Sequence, residues 1–261
     1  MNPTPLAGLG VLVTRPEGQA DALCRLIEAA GGRAIPFPTL LIRVVPDPAA
    51  AAALLAEDWD LVVFTSRNAV EHGLPLCSAG RPRAVALAAV GEATARALDA
   101  AGCPPDLVPT GRYDSEALLA LDALTAVLGQ RVLIVRGEGG RATLGDTLAE
   151  RGARVFYAEV YRRTPPAVDP GPLLAQWTTQ VQLATATSDE ILRNLVEILG
   201  PRGQAKLFAT PLVVVSARTA ALAEAMGFRR VELADRAGDA EVLAALIRAA
   251  QPHSSPTADS P

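Results

Sequence analysis

Val11-Leu-Val-Thr-Arg-Pro-Glu-Gly18 and Val132-Leu-Ile-Val-Arg-Gly-Glu-Gly139 read as one passage written twice, 121 residues apart (Val11 to Val132). At that offset eight identities fall between Val11 and Ala34: Val11/Val132, Leu12/Leu133, Arg15/Arg136, Glu17/Glu138, Gly18/Gly139, Leu23/Leu144, Gly31/Gly152 and Arg33/Arg154. Downstream, Thr65-Ser66 meets Thr187-Ser188. Val90, Thr94, Ala95, Ala100 and Gly102 meet Val215, Thr219, Ala220, Ala225 and Gly227, and Glu116-Ala-Leu118 meets Glu241-Val-Leu243. A duplicated unit of about 120 residues explains the chain length and predicts two similar domains.

Within each copy, short apolar runs alternate with helical patterns, as in a parallel sheet covered by helices on both faces. In the first copy strands are predicted near 10–14, 34–37, 60–65, 84–90 and 106–108, and helices near 18–30, 48–57, 68–76, 92–101 and 115–128. The fold class is α/β: two similar flavodoxin-like domains, each a parallel five-stranded sheet with helices on both faces. Gly31 and Gly152 stop their helices, as a C-terminal cap requires.

Composition narrows the chemistry. Of the 261 residues, 50% are hydrophobic, 20% charged and 4% aromatic, which fits a soluble globular protein. Apolar runs such as Ala84 to Val90 fall far short of the roughly 20 residues that cross a bilayer, so no membrane partner is expected. Met1-Asn-Pro-Thr-Pro5 carries neither a basic start nor an apolar stretch, which predicts a cytoplasmic protein. Cys24, Cys77 and Cys103 are odd in number and widely spaced, arguing against disulfides and zinc. The net charge of −4 gives no field for nucleic acid, although Lys206 is the one lysine among 24 basic residues and the rest are arginines. A Schiff-base mechanism would need Lys206. Of the two histidines, His253 lies in the tail 252–261, which reads as disordered, so histidine chemistry would rest on His72 alone. A metal site would have to be built from carboxylates.

Parallel sheets bind ligands beyond the carboxyl ends of their strands, where loops enter helix N-termini. Those loops read Thr14-Arg15-Pro16, Thr65-Ser66-Arg67-Asn68, Gly91-Glu92-Ala93-Thr94, Arg136-Gly137-Glu138-Gly139-Gly140-Arg141, Thr187-Ser188-Asp189 and Ser216-Ala217-Arg218-Thr219. Hydroxyls, glycines and arginines with few strong bases suit an anion with several charged groups. Each group has a plainer reading as well. Ser66 and Ser188 fit as helix N-caps, and Arg162-Arg163 as a solvated pair. Gly137-Glu-Gly139-Gly-Arg-Ala142 also fits the dinucleotide pattern GxGxxA after a strand, with Glu159 near the expected acidic position, yet the first copy has Pro16-Glu17-Gly18 there and lacks the glycine set.

Six passages in order resemble the uroporphyrinogen-III synthase family: Val11-Leu-Val-Thr-Arg-Pro16, Phe64-Thr-Ser-Arg-Asn-Ala-Val70, Ala89-Val-Gly-Glu-Ala-Thr-Ala95, Ser115-Glu-Ala-Leu-Leu119, Val132 to Arg141, and Val160-Tyr-Arg-Arg163. The resemblance implies an enzyme that cyclises hydroxymethylbilane, a linear tetrapyrrole with eight carboxylates, to uroporphyrinogen III. Water is lost, ring D is inverted through a spiro intermediate, and no cofactor is needed. It also implies interleaved domains: 1–36 with 166–251, and 42–158, joined by linkers at 37–41 and 159–165. Tyr161 matches the family tyrosine placed near the leaving group, although it also reads as a linker tyrosine packed for hinge geometry. Ser66, Thr94, Ser188 and Thr219 match positions lining the cleft, with Arg15, Arg136, Gly137 and Gly139 as further substrate-binding candidates. Asp189 sets a carboxylate beside this anion site, although it also reads as a helix cap that faces away. A monomer is expected. The alternatives are a hinged two-domain binding protein for an anionic small molecule and a nucleotide-dependent oxidoreductase built on residues 137–142.

Overall fold

A computed structural model describes residues 4–110, 114–140 and 142–251. The tail 252–261 with its histidine, and Arg141, lie outside the described residues. The chain divides into two compact units: the residues through Leu41 with those from Thr164 onward, and Ile42–Arg163. β1 (Gly10–Val13), α1 (Asp21–Ala29) and β2 (Arg33–Pro36) begin the first unit. Next come β3 (Leu41–Val44), α2 (Ala49–Leu55), β4 (Asp58–Phe64), α3 (Arg67–Gly73), β5 (Arg83–Ala89) and α4 (Glu92–Ala100). The second unit continues with α5 (Ser115–Leu119), α6 (Asp122–Thr125), β6 (Arg131–Gly137), α7 (Thr143–Glu150) and β7 (Arg154–Thr164). Back in the first unit are α8 (Gly171–Ala175), α9 (Trp177–Gln180), β8 (Leu183–Ala186), α10 (Asp189–Ala209), β9 (Leu212–Val214), α11 (Ala217–Met226), β10 (Val231–Leu233) and α12 (Asp239–Ala250).

The first sheet runs β2-β1-β8-β9-β10, the flavodoxin order 2-1-3-4-5, and the second runs β3-β7-β6-β4-β5. Their registers repeat pair for pair. Val11 opposite Ala34 corresponds to Val132 opposite Val155, and Val11 opposite Leu183 to Val132 opposite Leu61. Ala184 opposite Leu212 corresponds to Val62 opposite Leu87, and Val213 opposite Glu232 to the lone bridge between Ala88 and Leu107. Left-handed glycines match too, at Gly8/Gly129, Gly18/Gly139, Gly31/Gly152 and Gly102/Gly227. The duplication is therefore carried by the hydrogen-bonded ladders. The second unit runs through the copy in permuted order, with β4 and β5 preceding β6 and β7.

Apolar strand residues explain the layers. Along β4 and β6, Val62, Phe64, Leu133 and Val135 face one core with α2, α3 and α4, while Leu61, Val63, Val132 and Ile134 face another with α5, α6 and α7. Burying each such side chain contributes about 1.5–3 kcal/mol. In the first unit Val11 and Val13 pack with Leu23 and Ile27 of α1 and Val242 and Leu246 of α12.

The structure differs from the sequence reading at four places. Leu41–Val44, next to an expected linker, forms edge strand β3. The expected strand at 106–108 is a single bridge. The expected helix 115–128 is two short helices, separated at Ala120-Leu121 where Leu121 turns extended. Residues 159–164, expected within a linker, form the second half of β7, which pairs with β6. Helix α10 is broken at Gly200 (φ 59°, ψ −174°), a left-handed residue that only glycine adopts readily, just before Pro201. Among the described residues no helix is long and apolar enough to cross a membrane.

Candidate functional site

The expected residues lie at the carboxyl ends of strands in both sheets, on the strand ends themselves, on the loops that follow or on the first turns of the next helices. In the second unit, Phe64 ends β4 and Ser66 caps α3, its hydroxyl oxygen accepting from the Ala69 N–H at 3.0 Å. The same oxygen lies 3.2 Å from the Tyr161 hydroxyl. Tyr161 is 6% exposed and shares the core with Val70 and Val160. His72, on the last turn of α3, lies beside its ring with centroids 5.9 Å apart. The Tyr161 carbonyl accepts from the Glu138 N–H at 2.8 Å, which ties the chain of β7 to the β6 turn.

Gly137 lies buried against that ring. A β-carbon built there would stand 2.6 Å from Tyr161 Cζ. Gly137, expected as a substrate contact, therefore has its space taken by a phenol, and the same contact explains the first glycine of the dinucleotide-like pattern. Gly139 is a left-handed, exposed turn residue with open space around it. Thr94 is buried on the first turn of α4.

Arg136 ends β6 in a fixed posture. Its Nε and Nη2 donate to one Glu159 oxygen at 3.2 and 3.0 Å, and Nη1 donates to the Gly140 carbonyl at 3.2 Å. Its guanidinium lies 3.9 Å from the centre of the Tyr157 ring. A charge-assisted pair plus a cation–π contact holds this guanidinium at the rim. Arg136 also lines a cavity of about 270 Å³ with Thr65, Asp114, Ser115 and Gly140.

In the first unit, Ser188 caps α10 with the same backbone angles as Ser66 (φ −161°, ψ 162°), accepting from the Ile191 N–H at 3.2 Å. Ser216 caps α11, and its hydroxyl lies 2.8 Å from that of Thr219. Thr219, 1% exposed, donates to Asp189 at 2.7 Å, and Arg218 pairs with the same carboxylate at 2.9 Å. Asp189 thus takes up donors that the sequence reading left for the ligand. Arg15 pairs with Asp239 at the start of α12.

Ser66, Gly137 and Tyr161 therefore form one contact group, and Arg136 has its own partners in the same unit. Thr219 is joined through Asp189 to the helix that Ser188 caps. The sequence reading missed Tyr157 and Asp239, and it weighed Glu159 only as the acidic position of the dinucleotide-like pattern, not as the partner of Arg136. Asp239 did carry a signal, because at the offset of the later repeat pairs it falls on Asp114, the N-cap of α5 on the cavity of Arg136. The Tyr157 and Glu159 contacts carried none beyond alternation along a strand. No cluster of potential metal ligands occurs among the described residues.

A family model described as uroporphyrinogen-III synthase HemD matches residues 21–252. The uroporphyrinogen-III synthase of Salmonella typhimurium is 36% identical over 247 residues, covering 91% of this chain and 100% of that protein. That of Escherichia coli is 34% identical with the same coverage. Among solved structures, a mutant uroporphyrinogen III synthase from the extremely thermophilic bacterium Thermus thermophilus matches with a TM-score of 0.60 at 23% identity, covering 92% of this chain and 98% of that one. The Helicobacter pylori uroporphyrinogen-III synthetase matches with a TM-score of 0.59 at 14% identity, covering 92% and 99%. These two likenesses show the fold.

Proposed function

The chain belongs to the uroporphyrinogen-III synthase family, and on that premise we propose that Tyr161 of the second unit carries the bond-breaking step. The substrate is hydroxymethylbilane. Its terminal pyrrole pushes electrons toward the hydroxymethyl carbon, the C–O bond breaks, and the oxygen leaves with the electron pair. The Tyr161 phenol gives its proton to that departing oxygen, which leaves as water, and the proton that the ring-D α-carbon sheds as the macrocycle closes restores the phenol. Ring D then attacks the electrophilic methylene and is inverted through the spiro intermediate. Positioning supplies most of the acceleration, because the substrate provides its own electron push.

The observation that carries this reading is the Ser66 hydroxyl 3.2 Å from the Tyr161 hydroxyl. A buried phenol takes a hydrogen-bond partner whether or not it reacts, so the support lies in which partner it has, a hydroxyl fixed by a helix N-terminus. Either hydroxyl can donate across this contact; when Ser66, which accepts from Ala69, gives its own proton to Tyr161, the phenol proton is left for the leaving oxygen. Ser188, Thr94, Arg15, Arg136 and the exposed turn at Gly139 bind side-chain carboxylates, and Thr219 acts through Asp189. Each contact is worth about 0.5–1.5 kcal/mol. The compact units serve as the two domains, with the expected crossings narrowed to 37–41 and 162–165, since β7 stays paired with β6 as far as Tyr161. The enzyme works as a cytoplasmic monomer without cofactor.

The test couples the protein to a source of hydroxymethylbilane and reads the porphyrin isomers after oxidation. Type III product is expected. Type I alone, which is the spontaneous product, would reduce the protein to a binder of its substrate.

A further inference from the structure

We propose that Gly137 is a positioning residue for the Tyr161 phenol, and that the irregularity in strand pairing beside it aims the ring at Ser66. This inference rests on the reading of Tyr161 given above.

Along β7, Phe156, Ala158 and Val160 belong to the α3 side of the sheet, while Val155 and Tyr157 belong to the opposite core. Strict alternation would put Tyr161 on the side of Tyr157 and Glu159, away from Ser66. It does not go there, because the register shifts between Arg136 and Gly137. Arg136 stands opposite Glu159, but Gly137 stands opposite Tyr161, so Val160 is an extra residue in the ladder. A bulge of this kind re-aims the side chain that follows it. Here it leaves Val160 and Tyr161 buried in succession on the α3 side.

The ring can occupy that direction only because residue 137 has no side chain. A β-carbon there would lie 2.6 Å from Cζ, 2.7 Å from Cε2 and 3.0 Å from the hydroxyl oxygen of Tyr161. Such a β-carbon would push hardest at the hydroxyl-bearing end of the ring, the end that meets Ser66 at 3.2 Å. Both residues differ in the first copy, where the equivalents of Gly137 and Tyr161 are Pro16 and Leu40. Small residue and phenol thus occur together in one copy and are both missing from the other.

Gly137→Ala tests the assignment by kinetics and by the tyrosine signal. The ring is expected to swing off Ser66. kcat falls about 10–100-fold, KM stays within about twofold, and in protein carrying 13C-labelled tyrosine the Tyr161 resonance, identified by its loss in Tyr161→Phe, shifts. The double variant Gly137→Ala/Tyr161→Phe is expected to be no slower than Tyr161→Phe. An unshifted resonance, or an equal kcat loss with and without the phenol, overturns the proposal. If Gly137→Ala does not fold, Gly137→Ala/Tyr161→Leu removes the obstructing ring and should fold; its failure also overturns the proposal. Tyr161→Phe at full rate with the resonance still shifted in Gly137→Ala would instead overturn the catalytic reading and leave the placement standing.

Discussion

The passages β1-α1-β2 and β6-α7-β7 share a register, their left-handed glycines and an arginine at the end of the first strand. They differ in how the second strand ends. β2 stops at Pro36 after four residues, while β7 runs on through a bulge to Thr164 and carries Tyr161. The arginines have taken different partners, Asp239 at a helix start for Arg15 and Glu159 on the adjacent strand for Arg136. The frame is common to both copies, and the phenol occurs in only one. Substitutions at matched positions should therefore agree when they touch the frame and disagree when they touch the phenol.

The largest expected effect is on the frame. Leu12 and Leu133 are fully buried at equivalent positions of β1 and β6, so Leu12→Ala and Leu133→Ala should each destabilise their own unit by about 2–5 kcal/mol. Each unit has one tryptophan, Trp177 in the first and Trp59 in the second, both buried. Urea unfolding followed in variants retaining only one tryptophan reads the units separately. A large loss at one leucine and none at its counterpart would break the equivalence of the copies.

The next effect sharpens the difference. Ser66→Ala and Ser188→Ala each remove an N-cap and should cost about 1 kcal/mol of stability. Ser66→Ala should also lower kcat, since Tyr161 loses its partner, whereas Ser188→Ala should act on KM. Equal kcat losses would mean that the phenol contact carries nothing special.

The cysteines give the smallest effect. Burial pushes the Cys77 thiol up to about 11, with Cys103 adding to it, while half-buried Cys24 is raised by burial and then by Glu28 and Asp21. The neutral thiol is therefore favoured in the folded protein. Its stabilising contribution is complete below pH 9.0, the ordinary value, and is lost as pH climbs toward about 11. The second unit should lose urea resistance over that range, and Cys77→Ala should flatten the loss. At pH 8, iodoacetamide should label Cys24 ahead of Cys77; the reverse order would contradict this burial argument.

The frame was legible in the sequence because a repeat supplies two readings of most strands, and apolar runs such as Val132–Val135 have the same meaning in both. β3 was less legible. Leu41–Val44 is half exposed at a sheet edge and starts inside a predicted crossing, and at the offset of 121 it falls on the last residues of β7, which continue an earlier strand instead of starting a new one. Ser66 and Tyr161 were legible only as separate residues. Their contact depends on one extra residue in a ladder, and a bulge leaves little trace in composition. The pair Arg15–Asp239 joins residues 224 positions apart, so only the repeat could have pointed to it.

Turnover of hydroxymethylbilane by Tyr161→Phe tests the central claim most directly. Removing the hydroxyl while keeping the ring on Gly137 should lower kcat about 10–100-fold and leave the melting temperature nearly unchanged. Unaltered turnover in that variant would contradict the account and return Tyr161 to packing.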